Sequence, residues 1–289
     1  MGNRIPKYRN NVAISIKAAK NFKEKVINFN LQKERQAFDT HYNYSDCLEY
    51  LTKGISIKIL KNLNQASLIH LDTKKNLIDL TLKSLEDEYN IVQQDNDYSY
   101  ASTSWLPVKT YYLIFNLMLT VEYILQVQKS VFNYHHIKCI EEFTRKLEAK
   151  EIEFSEPLLN NVFDRNILKH KEVSGANLSR RIDIGRRYTM AIKKVAKYKF
   201  EEWKRKEKVN LRSSTGKSKR ENYLESFKIS IFEFPYYMRI RSNYRDFAFI
   251  EGVSNSDTAR YFNSYYNFAL NLYHALNNLK RFMLKARGY

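Results

Sequence analysis

The sequence predicts an all-α protein, a mostly helical bundle, on three observations. Only 7 Gly and 4 Pro occur among 289 residues, although the tight hairpins of β-sheets depend on Gly. Apolar residues recur at helical spacing along several long stretches. With 44% hydrophobic residues, the chain can bury a large core. The exception is Phe227–Phe234, whose apolar and polar residues alternate and predict one short strand.

The first part, residues 1–95, is predicted to be an N-terminal helical region. Apolar periodicity indicates helices over Val12–Phe38 and Cys47–Leu63. A further helical stretch begins at Ser67, and its core-facing stripe is expected to contain Leu77, Leu80 and Leu85. The polar and turn-rich residues 93–104 indicate either a domain boundary or a long loop.

The remainder, residues 105–289, is predicted to be a basic helical domain. Pro107 suits the first turn of an apolar helix over Val108–Phe132, which we expect at the centre of the core. Further helices are predicted at 136–152, Asn177–Lys208 and Thr258–Lys285. Residues 209–220 form a short stretch that is mostly polar and cationic. This composition indicates a flexible loop.

The cysteine content and the hydropathy of the sequence indicate the cellular compartment of the protein. The 2 cysteines, Cys47 and Cys139, are more consistent with reduced thiols than with a disulfide framework. The longest apolar stretch, near Tyr111–Leu125, is interrupted by polar residues such as Glu122, which indicates a buried helix and no membrane span. The N-terminus has no long apolar run typical of a secretory signal. We therefore expect a cytoplasmic protein with no membrane partner.

Positive charge is concentrated in one segment. The chain carries a net charge of +18, and residues 165–220 contain 19 Lys and Arg against 5 Asp and Glu, a net charge of +14. Such asymmetry favours a polyanionic partner, RNA or DNA. A membrane surface and a lysine-rich face that is simply solvated are the alternatives.

Two groups of side chains are candidates for phosphate contact. The helix over 177–208 and the segment after it present a basic face, and the segment MRIRSNYRDF could form a phosphate-binding or base-stacking corner, or alternatively an internal salt-bridge cluster. The predicted nucleic-acid-binding residues are Arg186, Arg187, Lys193, Lys194, Lys197, Lys204, Arg212, Lys217, Lys219, Arg239, Arg241, Tyr244 and Arg245.

The hexamer RNILKH, Arg165 to His170, is the one segment with a specific catalytic pattern. It resembles the motif of the HEPN superfamily of helical ribonucleases, in which an Arg, often followed by a polar residue such as Asn166, precedes a His by a few residues. The aromatic stretch LPVKTYYLIFNLML is also similar to an early HEPN helix. The resemblance implies that Arg165 binds the scissile phosphate and that His170 acts as general acid or base, without a metal, in a dimer. On one α-helix the two side chains diverge by about 140°, so a second motif or a bent segment must bring such groups together.

Three other patterns are set aside. The triplet GKS at 216–218 resembles the end of a P-loop but lacks the first glycine and a preceding strand. His135, His136 and Cys139 have no second ligand pair for a metal. The triplets EAK and EWK match half of a metal-nuclease signature but lack a partner Asp. We therefore expect no cofactor and no metal.

The sequence thus predicts a nucleic-acid-binding protein, with an HEPN-like metal-independent ribonuclease of the toxin or phage-defence type as its enzymatic form. That enzyme would cleave RNA with Arg165, Asn166 and His170. One alternative is a non-catalytic RNA- or DNA-binding subunit of a nucleoprotein complex, and another is a scaffold for an acidic protein. The expected partners are RNA or DNA and, for the enzyme, a second copy of the chain.

Overall fold

The computed structural model of the protein describes a helical chain, which confirms the predicted fold class. The described residues are 56–57, 65–126, 135–154, 161–170, 184–244 and 255–289. The predicted helix Val12–Phe38, nearly all of the one at Cys47–Leu63, and Arg245 lie outside them. None of the described helices is both long and apolar enough to cross a membrane.

Helices α1 (Gln65–Gln94) and α2 (Tyr98–Gln126) form an antiparallel start to the bundle. A three-residue turn joins them, so the long loop predicted at 93–104 is wrong. The Asp95 carboxylate accepts from the backbone N–H of Asp97, and the Ser99 hydroxyl donates to the carbonyl of Asn96. The predicted boundary at 95–105 therefore falls between two helices that share one core, and residues 1–55 lie outside the described ranges.

Helix α2 is the centre of the core, as the apolar pattern predicts. It packs against helix α1, and most of its residues after Thr110 are buried. Pro107 is wrongly placed by the sequence in a first turn, since the helix begins nine residues earlier, at Tyr98. That earlier stretch includes small polar residues, and three of them, Ser99, Ser102 and Thr103, are buried. Hydropathy alone does not register the burial of such side chains.

Several short elements accompany the long helices. Strand β1 (Ser56–Ile57), which precedes α1 in the chain, pairs antiparallel with β2 (Ile152–Glu153), which comes just after helix α3 (His136–Glu148). A 3-10 turn follows at Arg165–Lys169. Helix α3 matches the predicted amphipathic helix and ends at Glu148, before Lys150 takes a positive φ of 54°.

The second half contains four helices among the described residues: α4 (Ile184–Lys206), α5 (Ser214–Glu225), α6 (Phe234–Tyr244) and α7 (Asn255–Lys285). The strand predicted at 227–234 is wrong except for one bridge between Ile229 and Phe163. Odd-numbered and even-numbered residues of this segment are both buried, so the alternation in the sequence does not correspond to one buried and one exposed face. A 3-10 turn, Ile231–Glu233, replaces the strand, and its Ser230 and Glu233 form a capping box.

Helix α7 lies along α2 and closes the bundle, and it also contacts α1. Its apolar side chains Phe262, Tyr266 and Leu276 are buried. On α1, in contrast, Leu77 and Leu80 are 44% and 68% exposed, so two of the three residues in the predicted stripe are wrong. The buried residues of α1 include Leu71, Ile78, Leu85 and Val92, a set at steps of seven from which Leu77 and Leu80 are turned away.

Candidate nucleic-acid interface

Helices α4 and α5 form a hairpin held by aromatic packing. The rings of Trp203 on α4 and Tyr223 on α5 stack with centroids 4.2 Å apart and planes 8° apart. Phe200 lies 5.6 Å from the Trp203 ring, and Phe227 contacts Tyr223 edge-on. This packing fixes the angle between the two helices and therefore the positions of the cations at their junction.

The junction between α4 and α5 is an ordered turn. Lys208 ends α4 with a left-handed φ of 49°, and the N–H of Val209 donates to the carbonyl of Lys204 at 3.1 Å, a Schellman-type end. Ser213 caps α5 by accepting from the N–H of Gly216 at 3.0 Å. The prediction of a flexible loop at 209–220 is therefore wrong, because capping and turn hydrogen bonds satisfy this polar backbone.

Gly216 explains the GKS triplet by packing. A Cβ at this position would lie 1.8 Å from the carbonyl oxygen of Asn210, so only glycine fits. The triplet starts inside the first turn of a helix that no strand precedes. The glycine of this triplet is thus required by the close approach of two backbone segments, and no phosphate-binding loop is needed to explain it.

The α4–α5 junction presents five exposed cations, which we call the basic corner: Lys206, Lys208, Arg212, Lys217 and Lys219. Among the described residues, none of the five has a carboxylate within ion-pair distance. Three of them were expected from the sequence. The other two, Lys206 and Lys208, belong to the same run of charges, and Lys206 is the last residue of α4 while Lys208 lies two residues beyond it.

The other predicted cations of α4 differ in their surroundings. Lys193 was expected to face solvent and is instead 8% exposed, and its ammonium donates to the backbone carbonyl of His170. Lys204 is half-buried and pairs with Glu201 at 2.5 Å. Lys197 is exposed, and Lys194 is half-buried. The side chains of Arg186 and Arg187 lie outside the described part.

The RNILKH segment forms the 3-10 turn and packs against α4 through Ile167, which is 4% exposed. Successive residues of a 3-10 helix turn by about 120°, so Arg165 and His170 project about 120° apart. Both side chains are exposed. The turn therefore does not bring Arg165 and His170 together by itself, and a convergent site would need a second copy or an induced change.

Contacts around the turn also involve Asn166 and Arg165. The Asn166 amide donates to the Asp164 carboxylate at 3.1 Å, and Asp164 also caps the turn by accepting from the Asn166 N–H. Arg165 lies 3.9 Å from Glu221 of α5, a weak and exposed ion pair. The turn thus borders both α4 and α5 and lies beside the hairpin that carries the basic corner.

The predicted residues on α6 point into aromatic surroundings. The guanidinium carbon of Arg239 lies 4.7 Å from the ring centre of Tyr111 and 5.4 Å from that of Tyr112. Arg241 stacks 5.0 Å from the ring of Tyr198 and donates to its hydroxyl. Helix α6 ends at Tyr244, whose side chain is outside the described part. The two arginines of the predicted corner therefore have different neighbours: Arg239 packs on tyrosines of α2, and Arg241 packs on a tyrosine of α4.

The interior also contains two ionic groups that the sequence did not indicate. Lys146 of α3 is 4% exposed and lies 2.7 Å from both Glu122 and Glu142. Lys199 of α4 pairs with the buried Glu233 at 2.8 Å. Burial raises the pKa of Glu122, and the Lys146 ammonium offsets part of that effect. Both lysines of these groups are already paired with carboxylates and largely withdrawn from solvent, so they are unsuited to bind a polyanion.

Cys139 is fully buried, and His136 binds a tyrosine hydroxyl. No group of three or more His, Cys, Asp or Glu side chains within the described ranges is arranged to hold a metal ion. Comparison of the whole chain with known families, characterised proteins and solved structures found no match.

Proposed function

We propose that the protein binds nucleic acid, RNA in particular, through the basic corner. The observation that carries the proposal is the set of five exposed cations at the α4–α5 junction with no carboxylate partner among the described residues. Surface lysines are commonly paired or dispersed, whereas these five share one helical hairpin. Phosphates can replace the missing counter-charges, and the release of ions condensed on the nucleic acid drives the association.

The rigidity of the hairpin supports this proposal. The Trp203–Tyr223 stack and the Ser213 cap hold the junction, so little side-chain ordering beyond the lysines themselves accompanies binding. Neighbouring cations, Lys204 and Arg205, are already paired with Glu201 and Glu202 on the same helix. The five cations of the basic corner therefore define the expected contact and its size.

The test is the salt dependence of RNA binding. If all five cations neutralise phosphates of a single strand, the log–log slope is about −3.5, which is a loss of about 100-fold in affinity between 50 and 200 mM salt. Lys217→Gln with Lys219→Gln should reduce the slope to about −2. The matched control, Lys83→Gln with Lys285→Gln, removes the same charge from exposed positions on α1 and α7 and should leave the slope unchanged. Equal slopes for the two double variants would exclude the basic corner.

Ribonuclease activity is the second proposed function, favoured by the position of the RNILKH turn. Arg165 and His170 are both exposed, and the turn borders α4 and α5 beside the basic corner. RNA bound there would pass near both side chains, and a second copy could supply the converging partner. Because Asn166 is engaged by Asp164, its role in this proposal is to hold the turn.

The cleavage test compares the wild type with Arg165→Ala and His170→Ala in EDTA. Cleavage that persists in EDTA and is lost in both variants, while the salt slope of binding is unchanged, would support a metal-independent ribonuclease. Lys169→Ala, an exposed neighbour in the same turn, is the matched control and should cleave like the wild type. Salt-sensitive binding without cleavage in any of these proteins would leave a non-catalytic binding subunit.

A further inference from the structure

A second cluster of polar side chains lies where the start of α3 meets α2 and α6. We call it the Arg239 cluster: Tyr111, Tyr112, His136, Tyr236 and Arg239. The centroid of the His136 ring lies 5.4 Å from that of Tyr111 and 6.3 Å from that of Tyr112. Tyr236 lies 5.8 Å from Tyr111. The cluster contains one permanent cation, one titratable imidazole and three phenols.

Two nitrogen atoms of the Arg239 guanidinium are buried without a hydrogen bond. Within the described part of the chain, its Nε and Nη1 atoms have no hydrogen-bond partner. Among the described residues no carboxylate lies within ion-pair distance of it. Two tyrosine rings compensate part of the desolvation through cation–π contact. A half-buried arginine without a counter-ion is costly, and an anionic ligand would remove that cost.

The hydrogen bond between Tyr111 and His136 determines which imidazole nitrogen is available. Burial raises the pKa of Tyr111, so the phenol keeps its proton and donates to Nδ1 of His136. Burial, Arg239 and His135 together lower the pKa of His136, so the ring is neutral at pH 7. A neutral ring that accepts at Nδ1 carries its proton on Nε2, which remains a donor.

Charges of both signs act on the rings of the cluster. Arg239 and His135 act on His136, whereas Glu141 and Glu202 act on Tyr236. Glu202 is already paired with Arg205. His136 is also the first residue of α3, whose N-cap residue makes no side-chain cap hydrogen bond, so the positive end of the helix dipole adds to the same potential.

One ring of the cluster is open to solvent. Tyr112 is 41% exposed, whereas Tyr111 beneath it is 2% exposed. An exposed aromatic ring beside an arginine and a histidine matches the chemistry of a nucleotide, in which a planar base is joined to a phosphate. Arginine can bind phosphate oxygens with two parallel hydrogen bonds, and imidazole can add a third.

We propose that the Arg239 cluster binds the 5′-phosphate of a nucleotide, with Arg239 and His136 as donors to the phosphate and Tyr112 packed against the base. The Arg239 cluster would bind its ligand through a few partly buried hydrogen-bond donors with fixed directions, whereas the basic corner would bind through several exposed cations. The proposal does not depend on RNA binding at the basic corner, and its ligand can be a free nucleotide or the 5′-phosphorylated end of a strand.

Calorimetric titration with 5′-AMP, adenosine and inorganic phosphate tests the proposal on the full-length chain. AMP should bind about tenfold more tightly than inorganic phosphate, because one base–aromatic stack is added. Arg239→Lys, which keeps the charge and removes the fork, should weaken AMP binding by about 10- to 100-fold. Tyr112→Leu should reduce the affinity for AMP to that for phosphate. Lys217→Gln with Lys219→Gln is the control and should bind AMP like the wild type.

NMR titration of His136, assigned with His136→Gln, supplies a readout that folding alone does not change. Bound phosphate should raise the pKa of His136, because a dianion stabilises the imidazolium, and Arg239→Lys should reduce this shift. A 5′-phosphorylated RNA that competes with AMP more strongly than its 5′-hydroxyl counterpart would identify a strand end as the ligand. An unchanged His136 titration with saturating AMP, or equal AMP affinity of wild type and Arg239→Lys, would overturn the proposal.

Discussion

Replacing Lys146 with Met should strongly destabilise the protein at neutral pH. The Lys146 ammonium lies between Glu122 and Glu142, 2.7 Å from each, and Glu122 is fully buried. Without it, Glu122 keeps one donor among the described residues, the Gln126 amide at 3.0 Å, and its second oxygen already has none there. Leaving a buried carboxylate without its partner costs about 3–5 kcal/mol. Thermal unfolding followed by circular dichroism should show a fall in melting temperature of about 10 °C.

The pH dependence of this loss tests its electrostatic origin. Burial raises the pKa of Glu122, and removing Lys146 removes the main opposing charge, so the pKa rises further in the variant. A carboxyl with a raised folded-state pKa keeps its full stability below its unfolded-state pKa and loses stability as the pH rises through the folded-state pKa. The free energy of unfolding lost by Lys146→Met should therefore be smaller at pH 5 than at pH 7.

Two further variants complete this test. Glu122→Gln combined with Lys146→Met removes both charges and should recover most of the lost stability. Arg145→Met is the matched control on the same helix, since Arg145 is half-exposed in its pairs with Glu142 and Glu151, and it should cost less than about 1 kcal/mol. A loss for Lys146→Met below about 1 kcal/mol that is equal at pH 5 and pH 7 would refute the reasoning.

Three other predictions concern single positions. Gly216→Ala should destabilise by about 1–3 kcal/mol in urea unfolding, because its Cβ would overlap the Asn210 carbonyl, whereas Thr215→Ala next to it should be neutral within about 0.5 kcal/mol. Lys208→Gly should raise the free energy of unfolding by about 0.5–1 kcal/mol by relieving the left-handed backbone, and should also reduce the salt slope of RNA binding by about 0.7. Cys139 should not react with a thiol reagent at pH 8 until the protein unfolds, because it is fully buried and burial raises its pKa; rapid modification of native Cys139 would contradict its placement.

Helix periodicity and composition predicted the fold class because they report burial along one element at a time. Helix α7 matched its expected bounds to within three residues, and helix α3 ended four residues before its predicted end. Periodicity was less informative on α1, where Leu77 and Leu80 are exposed although both are strong core formers. A helix with apolar residues on two faces can bury either, and the partner helices α2 and α7 determine which one is buried.

The sequence by itself determined that the chain is helical, that its positive charge is concentrated between residues 165 and 220, and that its apolar helix over 108–126 is buried. The tertiary structure decided which cations remain exposed, since Lys193 became a buried donor while Lys206 and Lys208 stayed open. It also placed Arg239 beside Tyr111 of α2 and His136 of α3, and each of these two residues is more than 100 positions away from Arg239 in the sequence. Charge and periodicity are local properties of a chain, whereas the pairing of a cation depends on which distant segment packs against it.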